Sequence, residues 1–326
     1  MARKILASRA CVPSHVEAGH VETGPPELRM SKALVDPRSG TPLVAKSPRI
    51  GLVLGGGGAR GIAHIVAIEA LEEMGFRPAA IAGTSIGAMF GAAAAAGLSA
   101  AFLRAHLEET FSKRLTLVRQ LFSVRAPVAE KLFNLVPFRS ALLDAEALLD
   151  IVMPMRVPET FAGLKVPLQV VATDIHSQDA AVLSEGSLRR AIAASIALPV
   201  IFQPVRVDGR IMMDGGMVDP LPFDRFSDPV DFVIAIDVSG GGLAEGSRKV
   251  PGPIEALTTA SLILQRSIIR EKLRSSRPDI LIDMPARDFA VLEFHRWREI
   301  LDAALPAKEQ LKTRLARILR SETVTE

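Results

Sequence analysis

With 326 residues, 48% of them hydrophobic, the chain can bury a large core, as expected of one α/β domain with appended ends. A formal net charge of +3, one Trp and no Tyr argue against a global nucleic-acid footprint and against an aromatic stacking surface. The single cysteine, Cys11, excludes an intramolecular disulfide and fits a reducing compartment.

Residues 1–47 combine Pro, Ser, Gly, His and scattered charge without helical or strand periodicity, the composition of a flexible tail. The start, Met1 to Ala7, resembles a signal peptide, but Ser8 and Arg9 interrupt the apolar run before an h-region forms. No stretch reaches the roughly 18 apolar residues of a membrane span, and Ala88 to Ala96 is short and alanine-rich. A soluble, cytoplasmic protein is expected, with any membrane contact peripheral.

The first predicted strand, Ile50 to Leu54, runs into Gly55-Gly56-Gly57-Gly58-Ala59-Arg60-Gly61. Ala63, Ala67, Ala70, Leu71 and Met74 then recur at helical spacing, and Gly75 is placed to end that helix as its C′ residue. Glycine N–H groups and a helix N-terminus so arranged form an anion site. A second unit follows: Ala79 to Ala82 as a strand, Gly83-Thr84-Ser85-Ile86-Gly87 as a turn, and a small-residue helix from Ala88 to Ala96 closed by Gly97. A G-x-S-x-G between strand and helix is a nucleophile elbow, whose glycines make room for a sharp turn that exposes the serine hydroxyl. Ser85 is the candidate nucleophile.

From Phe102 to Phe138, large apolar residues mix with basic ones, and Lys113 to Arg125 reads either as a surface for anionic membrane or as the solvated back of a packed helix. Asp144 to Met153 is a short helix. Leu168 to Thr173 and Ala180 to Leu183 form a strand pair, Ser187 to Ser195 a helix, and Val205 to Met213 two strands around a tight Asp-Gly turn. That hairpin delivers Asp214-Gly215-Gly216. Phe232 to Asp237 is an apolar strand, a glycine-rich loop runs from Gly240 to Gly246, Pro253 to Arg274 is a helix, Ile280 to Ile282 a last strand, and helices finish the chain. Strands alternating with helices predict a three-layer α/β sandwich with a mainly parallel sheet.

A serine hydroxyl is a weak nucleophile until a base takes its proton. Asp214 followed by His295 obeys the acid-then-histidine order of an α/β-hydrolase, yet His295 lies in a helical pattern among Glu293, Arg296, Arg298 and Glu299, where a solvated histidine is expected. His64, His106 and His176 are no better placed. Asp214 stands at a strand end before two glycines, which suits a carboxylate turned into the crevice at a sheet's C-terminal edge; it also suits an ordinary turn aspartate.

Taken in order, Gly56-Gly57-Gly58-Ala59-Arg60-Gly61, Gly83-Thr84-Ser85-Ile86-Gly87, Ala194-Ser195 with Pro199, and Asp214-Gly215-Gly216 resemble the bacterial patatin-like phospholipases over about residues 49 to 240. The resemblance implies a Ser–Asp dyad without histidine: Ser85 as nucleophile, Asp214 as base, amides of the Gly56, Gly57 and Gly58 loop as oxyanion hole, and Arg60 beside it. Gly61, Gly83, Gly87, Gly215 and Gly216 complete the motifs. Asp219 stands where many relatives carry asparagine, which opens the question of how its loop is hydrogen-bonded. The domain organisation expected is a tail over 1–47, a catalytic core over 48–240, and a helical region over 241–326 that completes or flanks the core.

The activity so implied is that of a serine lipid acyl hydrolase, of the phospholipase A or lysophospholipase type, acting on fatty-acyl esters without metal or cofactor. An acyl transferase would use the same acyl-enzyme. Dinucleotide binding by Gly56-x-Gly58-x-x-Gly61 needs a carboxylate at the end of the next strand, and Ala80-Ile81-Ala82-Gly83 offers none. A silent regulatory protein on the same fold is disfavoured by the intact Ser85 and Asp214.

Overall fold

Strand β1 (Ile50–Leu54) is fully buried and has parallel neighbours on both sides, as its unbroken apolar sequence requires. The computed structural model describes residues 48–113, 142–240, 250 and 252–322. The predicted tail over 1–47, most of the basic and apolar segment from Lys113 to Arg125, and most of the glycine-rich loop after Gly240 lie outside the described residues. The described residues belong to one compact unit.

After β1 come helix α1 (His64–Glu73), strand β2 (Ala80–Thr84) and helices α2 (Ile86–Ala95), α3 (Ala100–Lys113) and α4 (Ala145–Val152). Strands β3 (Leu168–Asp174) and β4 (Asp179–Leu183), helix α5 (Leu188–Ser195), and strands β5 (Val205–Val207), β6 (Arg210–Asp214) and β7 (Phe232–Asp237) follow. Helix α6 (Pro253–Ser275), strand β8 (Ile280–Asp283) and helix α7 (Trp297–Glu322) close the described chain. The Gly75 terminus forms as expected: Gly75 has φ 77°, its N–H donates to Glu72 O, and the Phe76 N–H reaches Leu71 O. Helix α1 starts later than its periodicity suggests, because Gly58–Ala63 forms a tighter 3-10 turn first.

The sheet has eight strands. β8, β7, β1, β2 and β3 are parallel, while β4, β6 and β5 add antiparallel pairings at one side. Residues of β1 divide between two cores, as alternation demands. Ile50, Leu52 and Leu54 join the large cluster with α1, α2, α3, α5 and α7, whereas Val53 packs on the other face with Ala82, Ala235, Leu221, Phe223 and Ile269 of α6. These are the three layers expected. Among the described residues, no helix is long and apolar enough to cross a membrane.

One pairing positions the site. β3 carries β4 on one edge along Val170 to Asp174. Its other edge is shared: β2 pairs with Leu168 to Val171, and β6 takes over at Ala172, which faces Asp214. β2 runs parallel to β3 and β6 antiparallel, so their C-terminal ends meet head to head. Thr84 lies opposite Val171, and the next step along β3 is opposite Asp214.

Candidate active site

Ser85 follows the last residue of β2 and precedes the first of α2, with φ 55° and ψ −125°. Such backbone strain in a non-glycine residue costs about 1–3 kcal/mol and persists only where the surroundings enforce it. Enforcement is visible on both sides. The Ser85 N–H donates to Ser195 Oγ at 2.8 Å, and Thr84 Oγ1 donates to the Asp219 carbonyl at 2.8 Å. At Gly87 a methyl group would stand 2.0 Å from the Leu54 carbonyl oxygen, so only glycine lets α2 start this close to β1. Gly83 packs against the Gly87 carbonyl and Ala88, and Gly61 against the Ile86 side chain.

Asp214 ends β6 and is buried. Ser85 Oγ donates to its Oδ2 at 2.6 Å, and the Gly216 N–H donates to its Oδ1 at 2.8 Å. Burial pushes its pKa up to about 6, against the opposing pull of the Ser85 and Gly216 hydrogen bonds. Gly215 lies against the Val171 carbonyl. Asp219 answers the question raised by its departure from asparagine: its buried carboxylate binds Arg225 Nε and Lys272 Nζ, each at 2.8 Å, so the D-G-G loop is tied to α6.

The glycine loop divides its amides. Gly55 N–H donates to Ile236 O, Gly56 N–H to Pro220 O and Ala59 N–H to Val291 O. Among the described residues, the N–H groups of Gly57 and Gly58 have no acceptor, and both residues line the cavity that contains Ser85. The expected donor set of Gly56, Gly57 and Gly58 therefore narrows to the last two. Gly58 has φ 60°, and a methyl there would stand 2.4 Å from the Val291 carbonyl oxygen. Arg60 is buried but turned away from the cavity, its Nε donating to Phe289 O at 2.7 Å and its Nη1 to Ser239 O at 2.5 Å. It braces the loop from behind.

No described histidine bonds to Ser85 or Asp214. His64 is buried, its Nε2 is 2.9 Å from Gly55 O, and burial lowers its pKa to about 4, so the neutral ring donates there. His106 contacts Val152 O, while His176 and His295 are exposed, the latter in a 3-10 turn before α7 and not in a regular helix.

Ser85, Asp214, Gly57 and Gly58 open on a cavity of about 120 Å³. Its remaining walls are mainly apolar, including Ile62, Phe90, Phe111, Leu148, Phe202 and Leu262. Thr258, Ser261 and Gln265 of α6 also reach it. Sequence reasoning missed those three; their spacing on one helix face beside buried Leu262 and Ile269 was the available signal.

Residues 52–227 match the family model described as patatin-like phospholipase. An uncharacterized NTE family protein of Mycobacterium tuberculosis is 38% identical over 198 residues, covering 60% of this chain and 51% of that protein. Human patatin-like phospholipase domain-containing protein 6 is 35% identical over 192 residues, 58% of this chain and 13% of that protein. Among solved structures, VipD from Legionella pneumophila aligns over 82% of this chain and 67% of its own, with a TM-score of 0.46 and 16% identity. The aligned region thus spans about half the length of the mycobacterial relatives. Because the family match encloses Ser85 and Asp214 and extends over more than half of the 326 residues, this chain belongs to the patatin-like phospholipase family.

Proposed function

We propose that the protein is a serine lipid acyl hydrolase, cleaving fatty-acyl esters of phospholipid or lysophospholipid type. The observation that carries this reading is the 2.6 Å hydrogen bond from Ser85 Oγ to Asp214 Oδ2 in the lining of a mainly apolar cavity. Asp214 takes the Ser85 proton as the hydroxyl attacks the ester carbonyl. The N–H groups of Gly57 and Gly58 receive the oxyanion, and loss of one such donor costs ~3 kcal/mol of transition-state stabilisation. The proton on Asp214 passes to the departing alcohol, and the acyl chain lies along the apolar walls. Water then attacks the acyl-enzyme, Asp214 accepts one of its protons, and the fatty acid leaves. With a pKa of about 6, Asp214 is mostly the required carboxylate near neutral pH. The same acyl-enzyme supports acyl transfer to an alcohol when water is excluded.

The substrate class implies work at a lipid surface. The basic and apolar stretch from Lys113 to Arg125 is the proposed contact with anionic membrane. Co-sedimentation with anionic vesicles exceeds that with neutral ones and weakens with salt; equal binding to both removes the electrostatic part of this proposal.

Hydrolysis of a medium-chain p-nitrophenyl ester tests the dyad. Ser85→Ala and Asp214→Asn abolish turnover and fluorophosphonate labelling with the fold intact by circular dichroism, while His295→Ala changes the rate little. A dead His295→Ala beside an active Asp214→Asn overturns the assignment.

A further inference from the structure

The wall of the cavity formed by α6 carries polarity that acylation leaves unused. Thr258 Oγ1 is committed to the Ile254 carbonyl at 3.0 Å, and Ser261 Oγ accepts from Gln265 Nε2 at 3.1 Å. The other end of that carboxamide is different. Gln265 is only 5% exposed, and its Oε1 is buried without a hydrogen-bond donor. Buried acceptors are nearly always paired, so an orphan on a residue that lines the cavity marks a contact that substrate or water completes.

Two glycines lie between this carboxamide and the residues of the dyad. A carbon at the Cβ position of Gly56 would lie 3.7 Å from Gln265 Oε1 and 3.5 Å from Ser85 Cβ. One at the Cβ position of Gly216 would lie 2.7 Å from Gln265 Nε2 and 3.0 Å from Asp214 Oδ1. These two backbone positions therefore place the Gln265 carboxamide close to Ser85 Cβ and to Asp214 Oδ1.

The chemistry identifies the partner of Oε1. The ester group and the acyl chain, the parts of the substrate held at Ser85 in the acyl-enzyme, contain no hydrogen-bond donor, so neither pairs with an amide oxygen there. Water brings two donors. Building on the acyl-enzyme proposed above, we propose that Gln265 orients the attacking water of deacylation by accepting one of its O–H groups through Oε1. As the water oxygen bonds to the acyl carbon, its other proton passes to the Asp214 carboxylate. The tetrahedral adduct then expels Ser85 Oγ, which takes that proton back from Asp214, and the fatty acid departs with the O–H that Gln265 held. An alcohol has one O–H and delivers it to Asp214, so alcoholysis needs no second acceptor. Gln265 thereby biases the acyl-enzyme toward hydrolysis over transfer.

The test measures how the acyl-enzyme partitions. A p-nitrophenyl ester is turned over with ethanol at fixed concentration, and the ratio of ethyl ester to free fatty acid is recorded beside the rate of Ser85 labelling by a fluorophosphonate. Gln265→Met keeps the volume and removes the acceptor; labelling stays within about twofold while the ester-to-acid ratio rises about tenfold, the effect of one lost hydrogen bond in the hydrolytic transition state. Gln265→Glu keeps an acceptor and returns the ratio toward wild type, while its carboxylate beside Asp214 moves the acidic limb of the pH profile upward. Where Gln265→Met fails to fold by circular dichroism, Ser261→Ala decides by the same ratio, which rises because the carboxamide loses the hydrogen bond that fixes the direction of Oε1. An unchanged ratio in a folded variant that still labels overturns the role of Gln265 alone. Wild-type protein whose Ser85 never labels overturns the acyl-enzyme and this inference with it.

Discussion

Ser195 Oγ accepts the backbone N–H of Ser85 at 2.8 Å and donates to the Val171 carbonyl at 2.6 Å, so one buried hydroxyl clamps the elbow to β3. Ser195→Ala leaves a buried donor and a buried acceptor unpaired. Stability is expected to fall by about 2 kcal/mol in urea unfolding. Fluorophosphonate labelling of Ser85 is expected to slow as the strained turn relaxes. A variant that labels at the wild-type rate shows that the elbow holds without the clamp.

The raised pKa of Asp214 makes opposite demands on activity and stability. The proposed mechanism needs the carboxylate, so kcat/KM is expected to decline on the acid side through about pH 6. Folding favours the protonated form. Relative to the unfolded chain, with its ordinary value of 3.8, the stability associated with this group is full below that value and lost as pH rises through about 6. The loss amounts to about 3 kcal/mol and is complete by about pH 8. Asp214→Asn is therefore expected to be inactive yet to melt no lower than wild type at about pH 8, with that advantage gone at about pH 4. Thermal unfolding across this range checks the sign; a variant markedly less stable at the alkaline end contradicts it.

Asp219 holds two cations from a buried position, Arg225 from the same loop and Lys272 from α6. Asp219→Ala leaves the mostly buried Lys272 with the Asp224 carboxylate and the Leu221 carbonyl and is expected to cost about 3 kcal/mol of stability. Asp219→Asn keeps the shape and part of the hydrogen bonding, and is expected to cost less. Urea unfolding of both variants measures the difference; equal stabilities show that the charge contributes nothing.

Arg60 serves two carbonyls from one planar group, Phe289 O and Ser239 O. Arg60→Met leaves both buried acceptors unpaired, with an expected loss of about 2–4 kcal/mol and slower turnover as the glycine loop shifts. Arg60→Lys is not expected to restore either property, because an ammonium lacks the fork that reaches two acceptors at once. Full rescue by lysine refutes the bracing role.

Much of this architecture is legible in local sequence. The C′ glycines at Gly75 and Gly97, the caps at Asp144 and Ser187, and the Asp208-Gly209 hairpin follow from rules acting over a few residues, and each stands where those rules put it. Legibility fails where an outcome depends on a distant partner. Gly56 looks equivalent to Gly57 and Gly58, yet Pro220 captures its amide, more than a hundred and fifty residues away along the chain. Arg60 follows the glycine loop directly but turns toward carbonyls at Ser239 and Phe289. Gln265 belongs to no motif, and only the packing of α6 across the sheet brings its carboxamide to the dyad.

What the sequence by itself determined is the set of strand, glycine-turn and helix units, with Ser85 in one turn and Asp214 at the end of a strand. Steric rules for glycine and the periods of helix and strand act locally and suffice for that. Tertiary structure alone decided that the two side chains meet. Nothing in the periodicity of β2 or β6 says that both pair with the same edge of β3, β2 up to Val171 and β6 from Ala172. That shared edge turns 129 residues of separation into a 2.6 Å hydrogen bond, because two strands approaching head to head along one partner must bring their C-terminal residues together.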